Sequence, residues 1–124
     1  MQYLLMLHIE EAGWSKLTQA QQDQGLAAYK AYTEALTKAG VLKGSNRLQP
    51  SSVATTVRLT NGKSQVVDGP YIESKEQIGG YYLIDVPDLD SAISWAARCP
   101  AASHGAVEVR PVWAMTASAA APAA

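Results

Sequence analysis

Two segments of this chain are apolar on both faces of an extended strand, and that limits the folds open to it. Gln2–Glu10 reads Gln-Tyr-Leu-Leu-Met-Leu-His-Ile-Glu. Side chains alternate across a strand, so Tyr3, Leu5, Leu7 and Ile9 share one face and Leu4, Met6 and His8 the other. Gly79–Val86 repeats the pattern, with Tyr81 and Leu83 on one side and Tyr82 and Ile84 opposite. Strands of this kind sit in the middle of a sheet and need cover on both sides. The cover on offer is two helices. Thr18-Gln19-Ala20-Gln21 has the form of a capping box, and the helix it opens should stop at Gly40, which tolerates the left-handed cap conformation. Leu26, Tyr29, Thr33 and Leu36 make one stripe of that helix, and Ala28, Tyr32, Ala35 and Ala39 the adjoining one. Gly25 falls inside it, at a cost of about 1 kcal/mol relative to Ala. Asp88 caps a second helix from Leu89 to Arg98, with Leu89, Ala92, Ile93 and Ala96 expected to be buried; Pro100 ends it.

The remaining strands complete the order. Val41–Leu48 is weakly patterned. Val53–Thr60 alternates and is β-branched, Asn61-Gly62 is a type I′ hairpin turn, and Lys63–Val67 returns. Asp68-Gly69-Pro70-Tyr71 breaks the ladder, and Ala106–Trp113 is the last strand. The expected class is α+β: a split β-α-β, ferredoxin-like antiparallel sheet with two helices on one face and a hairpin insertion. The other sheet face, carrying Leu4, Met6, Tyr81 and Leu83, is left open, and its economical cover is a second copy about a two-fold axis.

Composition narrows the function classes. The 124 residues suit one domain, placed at residues 1–114, with an Ala-rich disordered tail at 115–124. Ten Lys and Arg against eleven Asp and Glu leave a net charge of −1, which argues against direct nucleic-acid binding. No apolar run is long enough to span a bilayer, and the opening residues lack the cationic region of an export signal, so a cytoplasmic address and no membrane partner are expected. Cys99 is the lone cysteine, and two histidines without a close ligand pattern make a dedicated metal site unexpected; no cofactor signature is present.

Several residues are suited to chemistry. Asp68 is a carboxylate at a strand end beside a rigid turn; it also suits that turn as an acceptor for nearby N–H groups. Glu108 and Arg110 are two apart, so they share one face of the last strand, as a base with an anion holder or as a plain surface ion pair. His8 lies among apolar residues, where a hydrogen-bonded core role is the commoner one, and His104 is in a loop. Tyr29 and Tyr32 line the core or a cleft. Glu73, Lys75 and Glu76 form a mixed-sign loop before Gly79-Gly80.

Asp68-Gly69-Pro70-Tyr71, Glu73-x-Lys75-Glu76-Gln77-Ile78-Gly79-Gly80-Tyr81-Tyr82-Leu83-Ile84, Pro87-Asp88-Leu89-Asp90, Trp95–Ala102 and Val107-Glu108-Val109-Arg110-Pro111-Val112 together resemble the DGPF-type branch of the YCII-related protein family, with Tyr71 where the family's motif has Phe. The resemblance runs from about Met1 to Val112. It implies a ferredoxin-like dimeric α+β barrel. The family includes a dehydrochlorinase acting on a chlorinated hydroxyquinol, and the resemblance implies a His–Asp pair of the kind proposed as the active site in the family's better-studied members. Tyr29 stands here where that helix histidine would fall. The resemblance also implies a competing role, as a non-catalytic sensor or accessory module of an extracytoplasmic-function sigma factor. The leading expectation is a homodimer binding a small polar or aromatic molecule and performing acid–base, lyase-like chemistry. Asp68 would be base or acceptor, Tyr29 the donor and Arg110 the holder of an anionic oxygen, with Glu108 orienting Arg110.

Overall fold

A computed structural model describes residues 1–72 and 74–115. The strands are β1 (Gln2–Ile9), β2 (Leu42–Arg47), β3 (Thr55–Thr60), β4 (Lys63–Asp68), β5 (Gln77–Asp85) and β6 (Ala106–Pro111); the helices are α1 (Glu11–Ser15), α2 (Gln19–Lys38), α3 (Leu89–Arg98) and α4 (Ala101–His104). Four strands form an antiparallel-paired sheet in the order β2-β5-β1-β6. β5 runs antiparallel to both β1 and β2, so those two are parallel across it, and α2 makes the crossover. α3 makes the corresponding crossover from β5 to β6, which completes the ferredoxin-like arrangement. β3 and β4 pair only with each other, as the inserted hairpin. Its turn is the expected one: Asn61 and Gly62 both have positive φ, at 51° and 77°.

The core lies between the sheet and the helices. Tyr3, Leu5 and Leu7 from β1, Tyr82 and Ile84 from β5, Tyr32 and Leu36 from α2, and Ala92, Ala96 and Cys99 at α3 are buried together. Tyr32 crosses Tyr82 edge-on, at 5.1 Å between ring centroids, and donates its hydroxyl to the Trp95 carbonyl at 2.8 Å. Thr18 closes both bonds of its capping box, and Asp88 accepts from the Ser91 N–H, so both helices start where the sequence places them.

Three packing expectations are corrected. On α3 the buried residues are Ala92 and Ala96, with Cys99 buried just past its end, while Leu89 and Ile93 are exposed. The alanines turn inward because a short side chain lets the helix approach the sheet closely. On α2, Leu26, Ala28 and Ala39 are exposed, and the buried residues are Tyr32 and Leu36. The first half of α2 instead meets α1, an element the sequence reading left out. Trp14 of α1 lies so close to Gly25 that a Cβ there would stand 3.1 Å from the indole, which accounts for a glycine inside the helix. The third correction is local: Ser51–Val53 is a 3₁₀ turn, so β3 starts at Thr55. The expected tail falls largely at residues 116–124, outside the described residues.

Candidate functional site

β1 and β6 carry the charged line of the uncovered sheet face. Met6 pairs with Glu108 and Leu4 with Arg110, so these four and His8 point the same way, away from Leu5 and Val109 on the core side. His8 Nε2 lies 3.1 Å from Glu108 Oε1, and the Arg110 guanidinium donates to Glu108 Oε2. The carboxylate is therefore held from both sides. The Arg110 bond first, and then the His8 bond, keep the Glu108 carboxyl below its ordinary pKa. An ionised Glu108 only accepts, so Nε2 of His8 carries a hydrogen, and in the neutral imidazole Nδ1 is the acceptor. Leu4, Met6, Tyr81 and Leu83 are half-buried beside this line. Asn46 of β2 donates to the Tyr81 hydroxyl at 2.7 Å on the same face. An apolar floor with one oriented imidazole, one guanidinium and one phenol suits a small ring that bears oxygen atoms.

The start of β6 is fixed by contact with β1. Gly105 sits against the His8 carbonyl so closely that any Cβ would overlap it, and its backbone N–H donates to the Ala101 carbonyl at 2.8 Å. The approach sets the register that brings Glu108 to His8.

Tyr29 lies on the other side of the sheet. It is half-buried on α2, against the core, with its phenol pushed up to about 12 by burial, by Cys99 and by Tyr82, and drawn down by Arg47. Arg47 itself stands over the Trp14 ring at 5.4 Å. Asp68 ends β4 opposite Thr55, exposed, at the foot of a hairpin that connects β2 and β5 and so sits remote from the β6 edge. Glu108 and Arg110 meet as the strand spacing required, but within one protomer Tyr29, Asp68 and Arg110 do not line a common cleft. The physical reason is the alternation of β6, which turns Arg110 away from the helices.

His8 is the residue that sequence reasoning undervalued. It is hydrogen-bonded as expected, yet it belongs to the uncovered face and its side chain is 28% exposed. The available signal was its parity: it alternates with Leu4 and Met6, on the face with no helix. Glu11 was missed altogether. Its carboxylate accepts from the Ser51 N–H and hydroxyl, each at 2.8 Å, and its own N–H donates to the Gln77 side chain, so it ties the approach to β3 to the start of β5. His104 ends α4 and is exposed, 3.2 Å from the Ser103 hydroxyl. Of the mixed-sign loop, Glu73 lies outside the described residues. A surface groove of about 600 Å³ lies elsewhere, between β3 and Pro70-Tyr71, and its lining includes Arg58 but no acid–base pair.

The sequence profile of the YCII-related domain matches residues 1–116. The chain belongs to the YCII-related domain family. An uncharacterised protein of Rhizobium meliloti is 34% identical over 114 residues, which is 90% of this chain and 92% of the relative. Among solved structures the fold is similar to 5-chloro-2-hydroxyhydroquinone dehydrochlorinase from Burkholderia phenoliruptrix, in complex with 2,5-dihydroxybenzoquinone. That likeness has a TM-score of 0.53 and 16% identity, and covers 94% of this chain and 96% of the other. It supports the α+β fold. No helix among the described residues is long and apolar enough to cross a membrane, and no group of three or more His, Cys, Asp and Glu side chains there is placed to hold a metal ion.

Proposed function

We propose that this YCII-related protein binds a small oxygenated ring on its uncovered sheet face and performs acid–base, lyase-type chemistry there, as a homodimer with that face turned inward. The observation that carries the reading is the His8–Glu108–Arg110 line. A base needs an acceptor atom, a fixed orientation and somewhere for charge to go. His8 Nδ1 supplies the first, Glu108 the second. Arg110, bound to Glu108 through one of its five donors, supplies the third by holding an enolate or phenolate oxygen. In the step proposed, a ligand hydroxyl or an activated C–H gives its proton to Nδ1, and the electron pair settles on the oxygen beside Arg110. The similar fold of a dehydrochlorinase bound to a dihydroxybenzoquinone supports the ligand class.

The test uses 2,5-dihydroxybenzoquinone as the probe, by calorimetry and thermal shift. The wild type is expected to show saturable binding, His8→Gln and Arg110→Gln a loss of about tenfold or more in affinity, in line with the removal of a hydrogen bond to a charged group. Equal affinity in the wild type and both variants overturns the site. Binding that survives without any proton uptake in buffers of different ionisation enthalpy keeps the binding function and removes the catalytic one.

A further inference from the structure

The run Gly79-Gly80-Tyr81 does more than open a central strand. β2 lies so close to it that a Cβ on Gly80 would stand 2.8 Å from the Asn46 carbonyl oxygen, a backbone atom that cannot rotate aside. In the pairing of β2 with β5, Asn46 lies directly across from Tyr81. Tyr81 lies across from Met6, and Met6 from Glu108, so Asn46, Tyr81, Met6 and Glu108 make one row over all four strands of the uncovered face. The ends of the row are polar and its middle is apolar. At the β6 end stand Glu108, His8 and Arg110. At the β2 end the Asn46 side-chain amide donates to the Tyr81 hydroxyl at 2.7 Å. A phenol can accept and donate at once. With Asn46 donating into it, the Tyr81 hydroxyl keeps its own hydrogen, for which no acceptor stands among the described residues.

We propose that Tyr81 is a second hydrogen-bond donor of the site and that Asn46 is its positioning residue. Together they hold an oxygen on the edge of the ligand ring opposite the edge that meets His8 and Arg110. His8 is two residues along β1 from Met6, and the phenol oxygen, bonded to Asn46, stands on the β2 side of its own strand. At about 4.8 Å between strands and about 3.4 Å per residue, the diagonal between these two groups is about 10 Å. Hydrogen bonds of about 2.8 Å at each end leave the width of one six-membered ring between them. Met6 is half-buried beneath that diagonal, and its soft thioether suits the face of an aromatic ring. A ring oxygenated on one edge engages only the His8 end and leaves the Tyr81 hydrogen unpaired. A ring oxygenated on opposite edges engages both. The pair therefore separates ligands that the His8–Glu108–Arg110 line alone cannot tell apart. This inference rests on the uncovered sheet face being the site proposed above, and adds what sets its specificity.

Two probes separate the ends of the site. 2,5-Dihydroxybenzoquinone carries an adjacent hydroxyl and carbonyl on each of two opposite edges, whereas tropolone carries one such pair and nothing opposite it. By calorimetry the wild type should bind the first more tightly, by about tenfold. Tyr81→Phe removes one oxygen from a half-buried ring. It should lower the affinity for 2,5-dihydroxybenzoquinone about tenfold and leave that for tropolone unchanged, so that the preference disappears. A loss on both probes alike, or on neither, overturns the assignment. Asn46 is exposed, so Asn46→Ala should keep the wild-type melting temperature. It should weaken 2,5-dihydroxybenzoquinone binding in the wild-type background and have no further effect in Tyr81→Phe, because it acts through the phenol. Equal losses in both backgrounds overturn its positioning role. The two proposals fail separately. Affinities that depend on His8 but not on Tyr81 overturn this inference and leave the site standing. A Tyr81-dependent preference with affinities indifferent to His8 and Arg110 upholds the donor and removes the acid–base function.

Discussion

A carboxylate held by a guanidinium and an imidazole gains from its charge, and that gain depends on pH. Glu108 has a folded-state pKa below its ordinary value of 4.5, first through Arg110 and then through His8. The folded protein therefore holds fewer protons than the unfolded chain in the acid range. The stabilisation is complete above the ordinary carboxylate pKa and is lost as pH falls through the lowered one. Glu108→Gln is expected to melt below the wild type at neutral pH, and the gap should close in acid; a gap constant with pH shows that the pair adds no charge-dependent stability. The phenols act at the other end of the scale. Tyr29 is raised to about 12 by burial, with Cys99 and Tyr82 adding to it, and Tyr82 is raised as well, also mainly by burial. A raised pKa means stability present below the ordinary value of 10.0 and lost as pH climbs through the folded one. Stability should fall steeply between those limits, and Tyr29→Phe should flatten the fall, read by phenolate absorbance against unfolding. A decline as steep in the variant places the loss elsewhere. At this scale the pairing of Glu108 with Arg110 was legible, because a spacing of two in a strand fixes a shared face. The role of His8 was not, because a histidine among leucines reads alike whether its face is covered or bare, and coverage is decided by elements far along the chain.

Elements that announce themselves with local chemistry were the legible ones. Thr18 with Gln21, Asp88 with Ser91 and Asn61-Gly62 are short-range devices whose partners lie within a few residues, and each forms as read. What escaped depends on long-range contact. α1 is five residues with no side-chain cap at its start, so nothing local marks it; Trp14 becomes informative only when it meets Gly25. Likewise the buried stripe of α3 is turned to its alanines by the distance to the sheet, which periodicity does not encode. Gly105 gives the sharpest test of such contact. Its neighbour is the His8 backbone carbonyl, which cannot rotate aside as a side chain can. Gly105→Ala should therefore cost about 3 kcal/mol, at the upper end for overpacking, and should disturb the His8–Glu108 bond with it. Thermal denaturation measures the first, and the His8 ring resonances the second. A variant with native stability and an unshifted His8 overturns the account of what fixes the β6 register. Gly25→Ala is the milder counterpart: the gain in helix propensity, about 1 kcal/mol, is set against displacement of an indole that can tilt.

For the whole molecule, the sheet order was readable from the alternation of strands and helices, but the exposure of the inserted hairpin was not, since β-branched alternation looks the same on a covered hairpin and on a bare one. A fold that leaves two apolar β surfaces open in one chain is unfinished as a monomer. If a second copy closes the uncovered sheet face, association and folding are one equilibrium, and the native state gains stability by mass action. The melting temperature should then rise with protein concentration, by a few degrees over about a hundredfold change, since the dimer-to-unfolded equilibrium shifts by roughly RT ln of that factor, about 2.7 kcal/mol per dimer. Light scattering at micromolar concentration should give twice the 13.2 kDa chain mass. A melting temperature independent of concentration in the wild type, with a scattering mass of one chain, removes the dimer.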